Sequence, residues 1–472
     1  MIKKFVYLAT VCLMASCSGT DLADLNEAPQ TPGIKTKFES HKVSLNHIEK
    51  LMRSDSVMTR GEENITNYVE CLSLDKSDTL LFAYNKPQGG WILYASDTRV
   101  PAIVAESSNG SFDDLVEVEP AKMWIEGMME DMAAVREASD EMLNFTPEQI
   151  EANQSFWKAL TAPDEFANQV IDENPEIYSV ESETYGVKPG GGLLPVDWPG
   201  HYELDYTSSH TEVYDSIPRL TVTNWDQNAN YNKYCPLTSD GKKNSDAGCG
   251  AIAVAQILYY MHYKIGKPLR APSYAYCNSR NNEKPYDWDQ TNPSTIIWNL
   301  MFDSERAAPL IAHIGNLVNM EYTDLGSSSI FTNLRNALIY YGLSCDYFSY
   351  NNNINKLKNS LLNERPVILG AANDDKIGHF FYADSYKRSR NVKVFVYKWV
   401  YDSTPPTDVL LKYHPAKVSY SYDSPDINMI GINWGWGSTY NQPEYNGWYS
   451  LTGDWIILGN FHLNRSMIIL ND

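Results

Sequence analysis

The sequence predicts an α+β protein built in two parts, and three observations carry that prediction. In the first part, short apolar runs of strand length are followed by two stretches with helical periodicity. From position 220 onward, helical stretches come first and strand-like runs close the chain. Between them lies a polar, Gly-rich segment with few periodic apolar positions. At roughly 100–200 residues per domain, a chain of 472 residues is expected to hold two or three. Hydrophobic residues make up 43% and charged residues 21%, which allows a substantial core and excludes wholesale disorder.

The elements follow in order. Lys3 and Lys4 precede an apolar run from Phe5 to Met14, the pattern of an export signal and too short for a spanning helix. The run ends in Leu13-Met14-Ala15-Ser16-Cys17, which resembles a bacterial lipobox with Met where Leu is commoner. Residues 1–17 are therefore expected to be a lipoprotein-type signal, with a lipid on Cys17 as the one membrane tether. Ordinary cleavage near Ala15-Ser16, giving a secreted protein, is the alternative. Residues 18–60 read as a flexible tether. Two apolar runs, Leu80–Asn85 and Trp91–Ala95, flank Lys86-Pro87-Gln88-Gly89-Gly90 and predict a hairpin, with a third strand at Ala102–Ala105. Met123, Trp124, Met128, Met132 and Val135 predict a helix over 121–142, and Pro147 opens another over 147–160. These elements give a small α+β domain over 61–171.

Residues 172–219 read as a connector that holds the maturation site, with Lys188-Pro189-Gly190-Gly191-Gly192 at its centre; the cut is expected within about 185–220, with Arg219 a candidate for a trypsin-like enzyme and self-cleavage at another bond the alternative. The second domain, 220–472, has predicted helices at 250–263, 305–320 and 328–341. Predicted strands follow at Val367–Leu369, His379–Ala383, Val392–Val400 and Met429–Trp434.

Several function classes fall away. Acidic residues outnumber basic ones 59 to 38, for a net charge of −21, which argues against a nucleic-acid partner. Cys12 and Cys17 fall in the signal, leaving Cys71, Cys235, Cys249, Cys277 and Cys345, too few for a disulfide scaffold. There is no CxxC and no His pair at metal spacing, so no metal is implied. HExxH, GxSxG and GxxxxGK[ST] are also absent from the sequence.

Four segments carry candidate chemistry. In Asp246-Ala247-Gly248-Cys249-Gly250-Ala251 two glycines flank a cysteine that opens a helix, where the helix N-terminus favours a thiolate. Taken alone, such a cysteine is more often a buried structural one. Gly378-His379-Phe380-Phe381 sets a histidine at a strand start, fit for a general base or for a satisfied core group. Gly431-Ile432-Asn433-Trp434-Gly435-Trp436-Gly437 offers an amide that can orient an imidazole and a Trp that can cover it, or plain core aromatics with turn glycines. Trp225-Asp226-Gln227, with Tyr231-Asn232 and Cys235-Pro236 after it, offers an amide donor upstream of the cysteine.

In the order Gln, Cys, His, Asn-Trp these segments resemble the streptopain family of cysteine peptidases, over residues from Leu220 to about Leu470. The resemblance implies a papain-like two-part domain. It implies Cys249 as nucleophile, His379 as general base, Gln227 as oxyanion donor, Asn433 as imidazole orienter and Trp434 as its cover. It implies no cofactor, and protein or peptide substrates. The runs around Leu80–Tyr84, Gly89–Asp97, Arg99–Ile103 and Asn109–Asp113 resemble the streptopain-type propeptide and small inhibitors related to it. The expected function is thus an exported cysteine endopeptidase made as a latent zymogen, with its own propeptide as a partner. Two rival readings stand: a surface lipoprotein that binds or inhibits a peptidase, and a Cys-His amidase or acyl transferase. His379 and Asn433 are farther apart than a strand–turn–strand needs, so 386–428 reads as an insertion beside the histidine.

Overall fold

The computed structural model describes residues 41–54, 69–75, 78–166, 200–221, 223–228, 230–270, 304–324, 326–351, 353–372, 378–404, 411, 417–435, 447–455 and 464–471. The signal segment with Cys17, positions 172–199 of the connector, Cys277 and Trp436 lie outside them.

The chain opens with helix α1 (Leu45–Ser54), inside the stretch read as a tether, where Ile48, Leu51 and Met52 are buried. An antiparallel meander follows: β1 (Val69–Leu72), β2 (Leu81–Asn85), β3 (Trp91–Ala95) and β4 (Ile103–Ser107). The expected hairpin turns at 86–90, where Gly90 has φ +87°, and a Cβ there would lie 2.6 Å from the Ser107 carbonyl oxygen. Helix α2 (Phe112–Leu115) is capped by Ser111, whose hydroxyl accepts from the Asp114 N–H (3.1 Å). Helix α3 runs Glu119–Glu137, shorter than the expected 121–142 at its C-terminal end. Arg99 is the reason. Its guanidinium is held by Asp97 and takes the carbonyls of Val135 (2.7 Å) and Ala138 (2.8 Å), closing the helix from the side. Helix α4 (Pro147–Thr161) starts with a complete capping box between Thr146 and Gln149.

The second part contributes β5 (Gly200–Ile217), α5 (Cys249–Tyr263), α6 (Ser304–Leu317), the small hairpin β6 (Glu321–Thr323) and β7 (Gly326–Ser328), and α7 (Phe331–Tyr340). Then come β8 (Cys345–Ser349), α8 (Ile354–Leu362), β9 (Val367–Ala372), β10 (Gly378–Tyr401), β11 (Lys417–Asp423), β12 (Ile427–Asn433), β13 (Trp448–Ser450) and β14 (Asn464–Leu470). The expected α+β class is what the structure has.

Twelve of the described strands form one antiparallel sheet, in the order β1-β2-β3-β4-β13-β12-β10-β9-β14-β8, with β5 and β11 joined to the far half of β10. The meander enters the sheet through a short pairing of β4 with β13, Tyr449 opposite Ala105 and Trp448 opposite Glu106. Residues 41–472 form one unit by their contacts.

Alternation along the central strands sorts two cores. Leu369, Phe381, Ala383, Met467 and Ile469 face one cluster with Trp124 and Met128 of α3. Ile368, Phe380, Tyr382, Ile468 and Leu470 face the other, with α5, α6 and α7. The sheet is therefore a middle layer between the helix of the first part and the cysteine-bearing helix of the second.

Two elements differ from expectation. The strands predicted at His379–Ala383 and Val392–Val400 are one continuous strand, because the polar residues between them pair with β12 on one edge and β5 on the other. The end of the polar stretch 172–218 is itself a strand, β5. Its sequence lacks an apolar stripe because cross-strand charge pairs take that place: Arg390 with Glu212 (2.8 Å), Arg388 with Asp215 (3.3 Å) and Lys398 with Asp205 (3.7 Å).

Candidate active site

Cys249 is the first residue of α5, behind Gly248 at φ +89°. A Cβ at Gly248 would meet the Met320 side chain at 2.6 Å, and one at Gly250 would press on Leu334 and Phe380 at 3.1–3.2 Å. The flanking glycines thus let the helix start sit against β10 and the segment before β6. The loop before it is pinned by the Ala247 N–H to the Gln227 carbonyl (2.7 Å) and by the Ser327 hydroxyl to the Asp246 carbonyl (2.6 Å).

The thiol is 6% exposed, and its sulfur accepts a hydrogen bond from the Phe380 N–H at 3.2 Å. Burial pushes its pKa up, and the backbone N–H groups of Phe380, Gly250 and Cys249 counter only part of that. The thiol is therefore neutral in this arrangement.

His379 precedes Phe380 on β10, so its side chain leaves the opposite face of the strand, the face shared with Phe381. Its cross-strand partner is Ala371, and Ala371 packs against Met123 of α3. Burial lowers the imidazole pKa, and Glu119, the first residue of α3, acts in the other direction. No hydrogen bond joins Cys249 and His379 among the described residues; the strand backbone lies between them.

The structure brings the other expected residues into the same region, each with its own partners. Gln227 is half-buried and tied by its carbonyl to the residue two before Cys249. Asn433 lies opposite Tyr382 on β10; its amide donates to the Thr223 carbonyl (3.3 Å) and accepts from the Gly435 N–H (2.9 Å). Trp434 is buried, its ring 4.8 Å from Phe381 and 5.5 Å from Tyr449, on the face that holds His379.

Residues 225–449 match the Peptidase C10 family. Over that segment, a little under half of its length, the chain is similar to the streptopain-type peptidases. A curated relative is a thiol protease/hemagglutinin of Porphyromonas gingivalis, PrtT, 22% identical over 333 residues. That alignment takes in 66% of this chain, which spans about a third (32%) of the relative's length. Among solved structures, a Prevotella intermedia prointerpain A fragment is 15% identical with a TM-score of 0.41, covering 85% of this chain and 97% of its own. Active interpain A from the same organism is 19% identical with a TM-score of 0.33, covering 54% of this chain and 98% of its own.

Within the Peptidase C10 segment and against it, some residues carry no local signal in the sequence. The Phe380 N–H becomes the thiol's partner only through the approach of β10 to α5. Glu119 and Met123 reach the His379 strand from the first part, and nothing in their own segment marks them. Met320 against Gly248 is similarly silent until the loop closes. Among the described residues, no group of three or more His, Cys, Asp and Glu side chains is placed to hold a metal ion. No helix among them is long and apolar enough to cross a membrane.

Proposed function

We propose that the chain is a latent precursor of an exported cysteine endopeptidase, cutting peptide bonds of proteins with Cys249 and His379. The observation that carries the reading is the placement of Cys249. It opens a long buried helix, under the strand whose previous residue is His379, inside a Peptidase C10 segment. In the active arrangement the imidazole takes the thiol proton, and the thiolate attacks the scissile carbonyl carbon. The Cys249 N–H and the Gln227 side-chain amide receive the oxyanion. The imidazolium then protonates the leaving amine, and water releases the acyl group from sulfur. Asn433 orients the imidazole and Trp434 shields it.

Latency follows from the same geometry. The thiol and the imidazole are both neutral, and α3 packs on the face of β10 that carries His379. The first part acts as the propeptide; its release lets His379 turn toward the sulfur. Export, and a lipid on Cys17, complete the proposal from the sequence alone.

The test is hydrolysis of casein by the activated protein. Cys249→Ala and His379→Ala should each lose about 10⁴-fold or more while keeping the circular-dichroism spectrum of the parent. Asn433→Ala should lose roughly 10–100-fold, because Trp434 packing holds part of the geometry. A folded Cys249→Ala protein that still cleaves casein would overturn the reading.

A further inference from the structure

β5 lies in the stretch expected to be a connector, and it does not behave as a linker. It pairs antiparallel with β10 from Gly200 opposite Tyr401 to Ile217 opposite Tyr386. The same strand β10 begins at the active site, with His379 as its second residue. Where β5 ends, Arg219 lays its guanidinium on Asp384, Nη2 to Oδ1 at 3.0 Å and Nε to both oxygens at 3.2 and 3.3 Å. Asp384 is 0% exposed. Its other oxygen accepts from the Thr221 hydroxyl at 2.6 Å, its backbone carbonyl accepts from the Leu220 N–H at 2.9 Å, and Leu220 is part of the α5 core.

From this we infer that Gly200–Thr221 belongs to the peptidase body, stays with it when the first part is released, and holds no activating bond. A protease needs several residues of unpaired backbone in its cleft, so a bond is cut according to how its backbone is bonded and buried. Across β5 the ladder to β10 withholds that backbone. At Arg219, the one Lys or Arg from 200 to 221, the side chain a trypsin-like enzyme would seize is already taken by a buried carboxylate. Asp384 needs this partner, because without Arg219 its buried charge would be met by neutral donors, the Thr221 hydroxyl and N–H and the Ser385 hydroxyl. The activating cut therefore lies N-terminal to Gly200, and the mature enzyme carries a three-stranded arm of β5, β10 and β11 rooted at the His379 strand.

The inference rests on the latency reading only for the word activating; the retained strand is tested without activity. The full precursor carrying Cys249→Ala, which cannot process itself, is treated with glutamyl endopeptidase and, separately, with trypsin. Glu173, Glu176, Glu181 and Glu183 precede β5, whereas Glu203 and Glu212 lie within it. Mass spectrometry should find a stable C-terminal fragment that starts before Gly200, with the bonds after Glu203, Glu212 and Arg219 intact. Adding Asp384→Asn should speed trypsin cleavage after Arg219 at least tenfold, with circular dichroism confirming that the variant folds. Should that variant unfold, Val213→Arg places a new trypsin site on the exposed side of β5, and that bond should stay uncut. A stable fragment beginning at Leu204, Val213 or Leu220 overturns the inference, as does ready cleavage at the new arginine.

Discussion

At the residue scale, the two groups proposed to react, Cys249 and His379, sit in environments that disfavour their charged forms. Burial raises the Cys249 thiol and lowers the His379 imidazole, so proton transfer from sulfur to nitrogen is opposed at both ends. Site-resolved alkylation with iodoacetamide at pH 7 should therefore label Cys249 at least tenfold more slowly in the intact precursor than in the activated enzyme; equal rates would place the block elsewhere. Cys71, exposed on β1 of the first part, serves as the internal control for the reagent in the intact precursor. A second histidine makes a stability statement. His313 on α6 is fully buried, and burial pushes its pKa down to about 4. Below about 6.5 the unfolded chain binds a proton that the folded chain refuses, so stability falls as pH drops toward 4. This single group accounts for up to roughly 3 kcal/mol at 1.36 kcal/mol per unit. Thermal melts from pH 7 to pH 4 should show that slope, and His313→Gln, which cannot titrate, should flatten it.

At the element scale, α3 is the contact on which the proposed latency rests. Asp131 on α3 pairs with Arg465 on β14 and accepts from Thr452, and both members of the ion pair are 1% exposed. Arg465 also lies over the rings of Trp124 (5.6 Å) and Tyr350 (4.9 Å). Removing one partner of a buried pair costs about 3–5 kcal/mol. Asp131→Ala should lower the melting temperature of the precursor and raise its basal casein hydrolysis; a stable, still latent variant would show that α3 is held by packing alone. How much of this the residues disclosed depends on the range of the interaction. The hairpin at 86–90, the capping box at Thr146 and the helix behind Cys249 are set by neighbours within a few positions, so the sequence displays them. The end of α3 was not legible, because it is fixed by Arg99 from another element. β5 was not legible either, because its stripe is one of charges matched across to β10 rather than of apolar residues. Motifs singled out Gln227, Cys249, His379, Asn433 and Trp434, and their catalytic roles stand as a proposal. The placement of His379 on the face away from the sulfur was not legible, since strand parity has meaning only once α5 and α3 are set on opposite sides of β10.

For the whole molecule, one antiparallel sheet carries both parts, joined by the β4–β13 pairing, the Asp131–Arg465 pair and the Lys387–Glu106 pair at 2.6 Å. Under the proposed function the first part leaves only if these contacts are broken together, so the precursor is expected to be either docked and silent or released and active. The arm of β5, β10 and β11 is rooted at the His379 strand, and its aromatic face meets Phe166, with Phe395 at 5.5 Å and Tyr422 at 4.9 Å; under the proposal the arm stays rooted there after release, and the Phe166 contacts are lost. The most direct measurement is the rate of casein hydrolysis by the purified full chain, followed from the moment of mixing alongside the mass of the protein. The account predicts a lag, with activity rising in step with loss of the N-terminal part and absent throughout in folded Cys249→Ala. Full activity from the uncleaved chain at time zero, or any sustained hydrolysis by folded Cys249→Ala, would contradict it.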